Sequence, residues 1–238
     1  MRKSSSVQKV PFLAPDVQTK VVPAPTDGWD AISPLAEMDP KRAVILDNMV
    51  PRPGYVELRG GYQPFSSTQG TLPVESLMCY RSATAEKLFA ASGTSIFDVS
   101  SGIAAGTTMA TGLTNAKWQH VNFTPGGGTT VIQMVNGADS LQQYNGTSWT
   151  VPTITGLPAG GSTSSIVNIH SQKRRLWYVM NNSSIAAFMP TDAISGAIAG
   201  YLDLGALWTK GGYLVAMSAW TIDGSGSGPQ DYALFISS

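Results

Sequence analysis

Three stretches of this chain share one order of parts: a strand, a tight turn and a second strand. They cover residues 86–99, 129–144 and 174–188. Ser92-Gly93, Asn136-Gly137 and Asn181-Asn182 stand at equivalent places, and these residue types tolerate the positive φ of short hairpin turns. Residues 231–236 read as the opening strand of a fourth copy. Aligning Leu88, Val131, Leu176 and Leu234 gives spacings of 43, 45 and 58 residues. Each copy also has an upstream strand candidate, at 75–81, 118–124, 165–171 and 212–220. Tyr144-Asn-Gly-Thr-Ser-Trp149 reads as a turn into an outer strand. A period of roughly 40 to 50 residues with several strands apiece predicts β-propeller-like blades. The alternative is a β-sandwich, whose turns recur every 8 to 12 residues or so. The longer third interval holds an insert at 191–210 rich in Ala, Gly and Ile.

Propellers close with about 4 to 8 blades. Three blades and an opening strand are incomplete, so the expectation is a first part of a longer protein. The organisation read from the chain is an extended N-terminal arm at 1–27, a docking module at 28–73 and all-β blades at 74–238.

Charge narrows the class further. Of 238 residues only 13% are charged, and 15 basic residues balance 15 acidic ones. Such a chain is not a basic nucleic-acid binder, and its 42% hydrophobic content sets it apart from a disordered chain. Residues 1–60 hold 15 of the 30 charges, whereas 118–172 carry only Asp139. A polar surface built there from Ser, Thr, Asn, Gln and Gly suits contact with other protein.

The arm at 1–27 is punctuated by Pro11, Pro15, Pro23 and Pro25, which hold it extended. Val7, Val10, Phe12 and Val17 make it more apolar than most tails, so it reads as an arm that lies on a partner. No apolar signal segment follows Arg2 and Lys3, and the charge-free apolar run 193–202 is too short to span a bilayer. In the module, Asp39-Pro40 places a capping residue before a first-turn proline, which predicts about two helical turns over 41–48. Pro51, Pro53 and Gly54 would stop them, and residues 55–59 alternate as a strand.

Residues with chemical potential are few and scattered. His120 and His170 lie 50 positions apart on strands of neighbouring blades, and no G-x-S-x-G elbow accompanies them. Cys79, between Met78 and Tyr80, reads as a buried structural thiol. The run 223–231 could wrap a calcium ion but lacks the closely spaced acids of such loops, and it reads as a surface loop. Thr124-Pro-Gly-Gly-Gly128 has no following lysine and reads as a hairpin loop. Lys173-Arg174-Arg175 is the one basic cluster. The residues thus predict no catalytic site, no cofactor and no metal.

Residues 27–62 are the most distinctive text: Asp27-Gly-Trp-Asp-Ala31, Pro34-Leu-Ala-Glu-Met-Asp-Pro40, Ala43-Val-Ile-Leu-Asp-Asn48, Pro51-Arg-Pro-Gly54 and Leu58-Arg-Gly-Gly-Tyr62. With Pro190-Thr-Asp-Ala-Ile-Ser-Gly196, Gly211-Gly-Tyr-Leu-Val-Ala216, Trp220-Thr-Ile-Asp-Gly224 and Asp231-Tyr-Ala233, they resemble virion proteins of short-tailed bacteriophages, of the tail nozzle or tail-stabilisation type. The resemblance implies a propeller-containing structural protein without enzymatic activity. It implies a homo-oligomeric ring, commonly a hexamer, below the portal and adaptor. DNA would pass through its channel without specific binding. Location would be the virion tail, reached from the host cytoplasm without membrane insertion. Val10 and Phe12 of the arm, and Trp29, Arg42, Arg52 and Arg59 of the module, are the expected partner-binding residues, because arginine's planar fork pairs well with carboxylates at subunit contacts. Two other readings stay open: a propeller-type sugar-binding receptor module or enzyme, and a phage fibre or capsid decoration protein.

Overall fold

A computed structural model describes residues 21–67, 69–102, 106–224 and 228–238, without the side chains of 223, 224, 228 and 229. The chain forms two compact units that divide after Gln63. The described residues hold no α-helix, only three 3-10 turns at Pro158–Gly160, Thr163–Ser165 and Gly205–Leu207.

In the first unit, β1 (Met49–Arg52) pairs antiparallel with β2 (Tyr55–Leu58). The two-residue turn is Pro53-Gly54, with Gly54 at φ +84°, the geometry that favours Pro followed by Gly. Pro51 sits within β1, tolerated because the ribbon has only two strands and its other edge is free. The helix expected over 41–48 does not form. Ala43 is committed elsewhere: its N–H donates to the Gly28 carbonyl at 3.0 Å, and its own carbonyl accepts from the Asp30 N–H at 2.9 Å. Asp39 closes a turn through the Lys41 N–H at 2.8 Å rather than capping a helix. Backbone groups claimed by a bridge cannot also serve i→i−4 bonds.

The second unit is a succession of antiparallel meanders. Sheet 1 runs β3 (Val74–Arg81), β4 (Glu86–Ser92), β5 (Ser95–Asp98), β6 (Thr107–Ala110) in spatial order. Sheet 2 runs β7 (Gln119–Phe123), β8 (Val131–Val135), β9 (Gln142–Tyr144), β10 (Trp149–Thr150). A short β11 (Ile154–Thr155) follows. Sheet 3 contains β12 (Ile166–Gln172), β13 (Arg175–Met180) and β14 (Ile185–Phe188). Next come β15 (Gly196–Ala197) and β16 (Gly200–Asp203). The insert at 191–210 thus supplies both the outer strand of sheet 3, β16, and a strand, β15, that pairs in parallel with β11. Sheet 4 is the hairpin β17 (Leu214–Gly224) and β18 (Gly228–Ser237). The repeat segments therefore pair into separate meanders rather than into two large sheets, and none of these sheets closes on itself.

Successive sheets pack face on face. Met78, Tyr80 and Phe89 of sheet 1 meet Ile132, Met134 and Tyr144 of sheet 2. Phe123, Val131 and Val135, on the other face of sheet 2, meet Ile166, Leu176 and Tyr178 of sheet 3. Val179 and Ala186 of sheet 3 meet Leu214 and Met217 of sheet 4. All five residues of β8 are buried, because the strand is covered on both faces. Backbones of neighbouring sheets approach mainly along the first strands, β3 beside β7, β7 beside β12 and β12 beside β17.

The alignment residues Leu88, Val131, Leu176 and Leu234 all fall on the second strand of their sheet. Their faces do not match, however. Leu176 points to the preceding sheet and Val131 to the following one. The face-equivalent of Leu88 and Leu176 is Ile132, which makes the interval 44 residues twice over. In sheet 4 it is Phe235, not Leu234. With a side-chain period of two, a slip of one residue turns a strand's core set outward.

Candidate functional site

The first unit holds four of the six residues expected to bind a partner; Val10 and Phe12 lie outside the described residues. Trp29 forms a parallel bridge with Ala43, and its indole N–H donates to the Val44 carbonyl at 2.8 Å. That bond orients the ring, which is 68% exposed, along an open cleft of about 400 Å³ shared with Val44, Ile45 and Leu46. Behind Trp29, the Asp30 carboxylate is buried. It accepts from the N–H groups of Ile32 and Ser33, the Ser33 hydroxyl and the Arg42 guanidinium, the last at 3.2 Å. The Ser33 and Ile32 amides above all hold its acidity well below the usual carboxylate range, with the Ser33 hydroxyl and Arg42 adding to the effect.

Arg42 is thus engaged inside the unit. Arg52 is too, pairing with Glu57 across the β1–β2 ribbon at 3.0 Å. Arg59 is exposed and in no ion pair among the described residues, while its N–H donates to the Asn48 carbonyl and extends the hairpin. The structure bridges Trp29 to Ala43, so that their chain neighbours Asp30 and Arg42 form the ion pair, and sets Gly28 against Pro51 of the hairpin. The same unit exposes further apolar residues, Ile32, Leu35 and Ile45, which the sequence reading passed over. Their crowding into one short segment was the available signal.

In the second unit, His120 and His170 lie on the first strands of sheets 2 and 3, and burial holds both imidazoles below their ordinary value. The buried Nε2 of His170 has no hydrogen-bond partner among the described residues. Cys79 is exposed, not buried, because it sits on the face of β3 turned away from sheet 2. The basic cluster is largely spoken for. Arg174 grips Asp192 through two bonds of 3.0 and 2.5 Å, whereas Arg175 lies 5.6 Å from the Phe188 ring centre and donates to the Met189 carbonyl. The Gly126 amide also donates to Asp192, so the glycine loop of sheet 2 docks on this ion pair of sheet 3. A Cβ at Gly126 would stand 2.1 Å from the Arg174 guanidinium. The run 223–231, expected as a surface loop, is instead mostly strand: its described residues pair in the β17–β18 ladder, where Asp231 stands opposite Thr221 and accepts from its hydroxyl at 2.7 Å.

Polar side chains on the first strands stitch the sheets together, a role the sequence reading did not assign. Ser76 donates to the Ala116 carbonyl and accepts from the Trp118 N–H. Asn122 accepts from the Arg81 N–H and donates to the Cys79 carbonyl. Asn168 accepts from the Met217 N–H at 3.1 Å. Among the described residues no group of three or more His, Cys, Asp or Glu could hold a metal ion, and no helix is long and apolar enough to cross a membrane. Compared with protein families, characterised proteins and solved structures, the chain matches none.

Proposed function

We propose that this chain is a structural protein of a bacteriophage tail, of the nozzle type. In this reading its four sheets are successive blades of a propeller, and copies form a ring that extends the DNA channel below the portal and adaptor. The observation that carries it is the polar succession of like sheets. Sheets 2 and 3 each give one face to the sheet before and the other to the sheet after, and at all three junctions the first strands lie side by side. Propeller blades pack in this manner around a common axis.

Two further features support the reading. The wording of residues 27–62 is similar to the N-terminal signature of such proteins. The stack is also poor in free charge: in the basic trio only Lys173 is without an ion or ring partner among the described residues. A wall with few free cations would let DNA slide, since retention on DNA scales with the phosphates neutralised. The proposed role involves no chemical step.

The test is incorporation into particles. Removal of residues 1–27 is expected to leave the β signal in circular dichroism unchanged and to abolish assembly into tails. Normal incorporation of the truncated chain would move the attachment surface to the sheets. Absence of the full-length chain from purified particles would end the virion reading.

A further inference from the structure

The first unit buries no apolar side chain of its own. Of residues 21–63 only Gly28 and Asp30 are buried, while Trp29, Ile32, Leu35, Ile45 and Leu58 are all more than half exposed. The bonds around Asp30 and the bridge from Trp29 to Ala43 give the unit its shape, and its apolar surface is left for another segment to cover. The open cleft formed by Trp29, Val44, Ile45, Leu46 and Asp47 lies on that surface. The indole N–H is already bonded to the Val44 carbonyl, so the ring offers its face and not a donor. Asp47 is in no ion pair among the described residues.

We propose that this cleft receives the N-terminal arm of a neighbouring copy, with Pro11 against the Trp29 ring and Lys9 beside Asp47. An aromatic-lined groove suits an extended, proline-containing segment, which is stiff before it binds and so loses little entropy on docking. A carboxylate on the groove adds a preference for a basic residue in that segment. Lys9-Val10-Pro11-Phe12 meets both demands, and Val10 and Phe12 bring apolar side chains to Val44 and Ile45. Pro15 is the poorer match, because Asp16 follows it and would meet Asp47 with like charge. The wider charges agree. Residues 1–20 carry four basic side chains and one acidic, and residues 21–63 carry four basic and six acidic, so arm and module attract. Val21 and Val22, which lead into the module, are both more than three-quarters exposed. The chain therefore approaches its own module without lying on it, which favours a neighbour's cleft. Each copy then gives one arm and receives one, a heterologous contact that closes into a ring. The inference rests on the proposed ring and gives that ring its contact.

The test is the mass of the purified full chain in solution by light scattering. An oligomer is expected. Phe12→Asp spoils the arm and Trp29→Ala the cleft, and each is expected to give a monomer with an unchanged circular dichroism spectrum. An equimolar mixture of the two keeps one intact contact, the arm of the Trp29→Ala copy in the cleft of the Phe12→Asp copy, and is expected to give the mass of a dimer and nothing larger. A charge exchange leaves the ring of Trp29 in place: Asp47→Lys alone is expected to lower the mass, and Lys9→Glu added in the same chain to restore it. A monomeric wild type overturns the proposal, and so does an arm that folds onto its own cleft. An oligomer that survives both Phe12→Asp and Trp29→Ala overturns it as well, as does a mixture that stays monomeric or a charge exchange that restores nothing. Any of these results in a chain that still enters particles would remove this contact alone and leave the proposed role standing.

Discussion

Single residues decide whether neighbouring sheets fit. Tyr178, fully buried in sheet 3, donates to the Gln133 side-chain carbonyl of sheet 2 at 3.0 Å, and Gln133 donates in turn to Gln143 and to the Ile194 carbonyl. Burial pushes the Tyr178 hydroxyl far up, so it stays a donor at any ordinary pH. Tyr178→Phe strands the Gln133 carbonyl and is expected to cost about 1–3 kcal/mol in urea unfolding. Gly146 sits at φ +94°, with the Tyr80 hydroxyl 2.7 Å from where a Cβ would be. Gly146→Ala is expected to lose about 1–2 kcal/mol from the left-handed backbone alone. The histidines set a pH dependence. Burial depresses both imidazoles in the folded state, so as pH falls the unfolded chain takes up their protons first. Their contribution is complete above the unfolded value of about 6.5 and is lost as pH falls from there through the folded values. The melting temperature should therefore drop between pH 7.5 and 5.5, and drop less in a His120→Asn/His170→Asn double variant.

Among the elements, the β12–β13 hairpin carries a visible cost. Its two-residue turn, Lys173-Arg174, has φ of +49° and +60°, a conformation that suits Asn-Gly far better. Arg174 has a compensating task on Asp192, and Lys173 has none among the described residues. Lys173→Asn is thus expected to stabilise by about 0.5–1 kcal/mol, read as a higher urea midpoint at unchanged slope. The same element shows how far the sequence could be read. Strand existence was legible, since alternation and turn residues are local: all four upstream strands form where alternation placed them, as do the turn and outer strand at Tyr144 and Trp149. Register was not legible. Val131 and Ile132 are both apolar and both fully buried, so no pattern of polarity distinguishes their faces. The helix over 41–48 failed because a proline-capped start is a local cue, and the bridge from Ala43 to Trp29 is not local. In the candidate site, the aromatic and the arginines could be named. That Asp30 and Glu57 would engage Arg42 and Arg52 depends on pairings that only the folded hairpin and bridge create.

For the molecule as a whole, sheet 2 is the keystone of the β unit, buried on both sides through β8. Ile132→Ala removes a fully buried side chain from the junction with sheet 1, for an expected loss of about 2–5 kcal/mol. Hydrogen exchange should then rise in sheets 1, 2 and 3 together, while the β1–β2 ribbon, in the other compact unit, keeps its own protection.

The parallel ladder between β11 and β15 gives the β unit a mechanical property. Ile154 and Thr155 pair with Gly196 and Ala197, and the N–H groups of Gly196 and Ile198 donate to the carbonyls of Thr153 and Thr155 at 2.8 and 3.0 Å. The ladder acts as a clasp. The chain between its halves contains β12, β13 and β14, so a load applied through the termini cannot reach those strands until the clasp gives way. Under a steadily increasing pull, roughly 150 Å of hidden chain should then be released in one step, at up to about 3.6 Å per residue. Thr155→Pro, which takes one residue out of the ladder, should let the same length pay out at lower force.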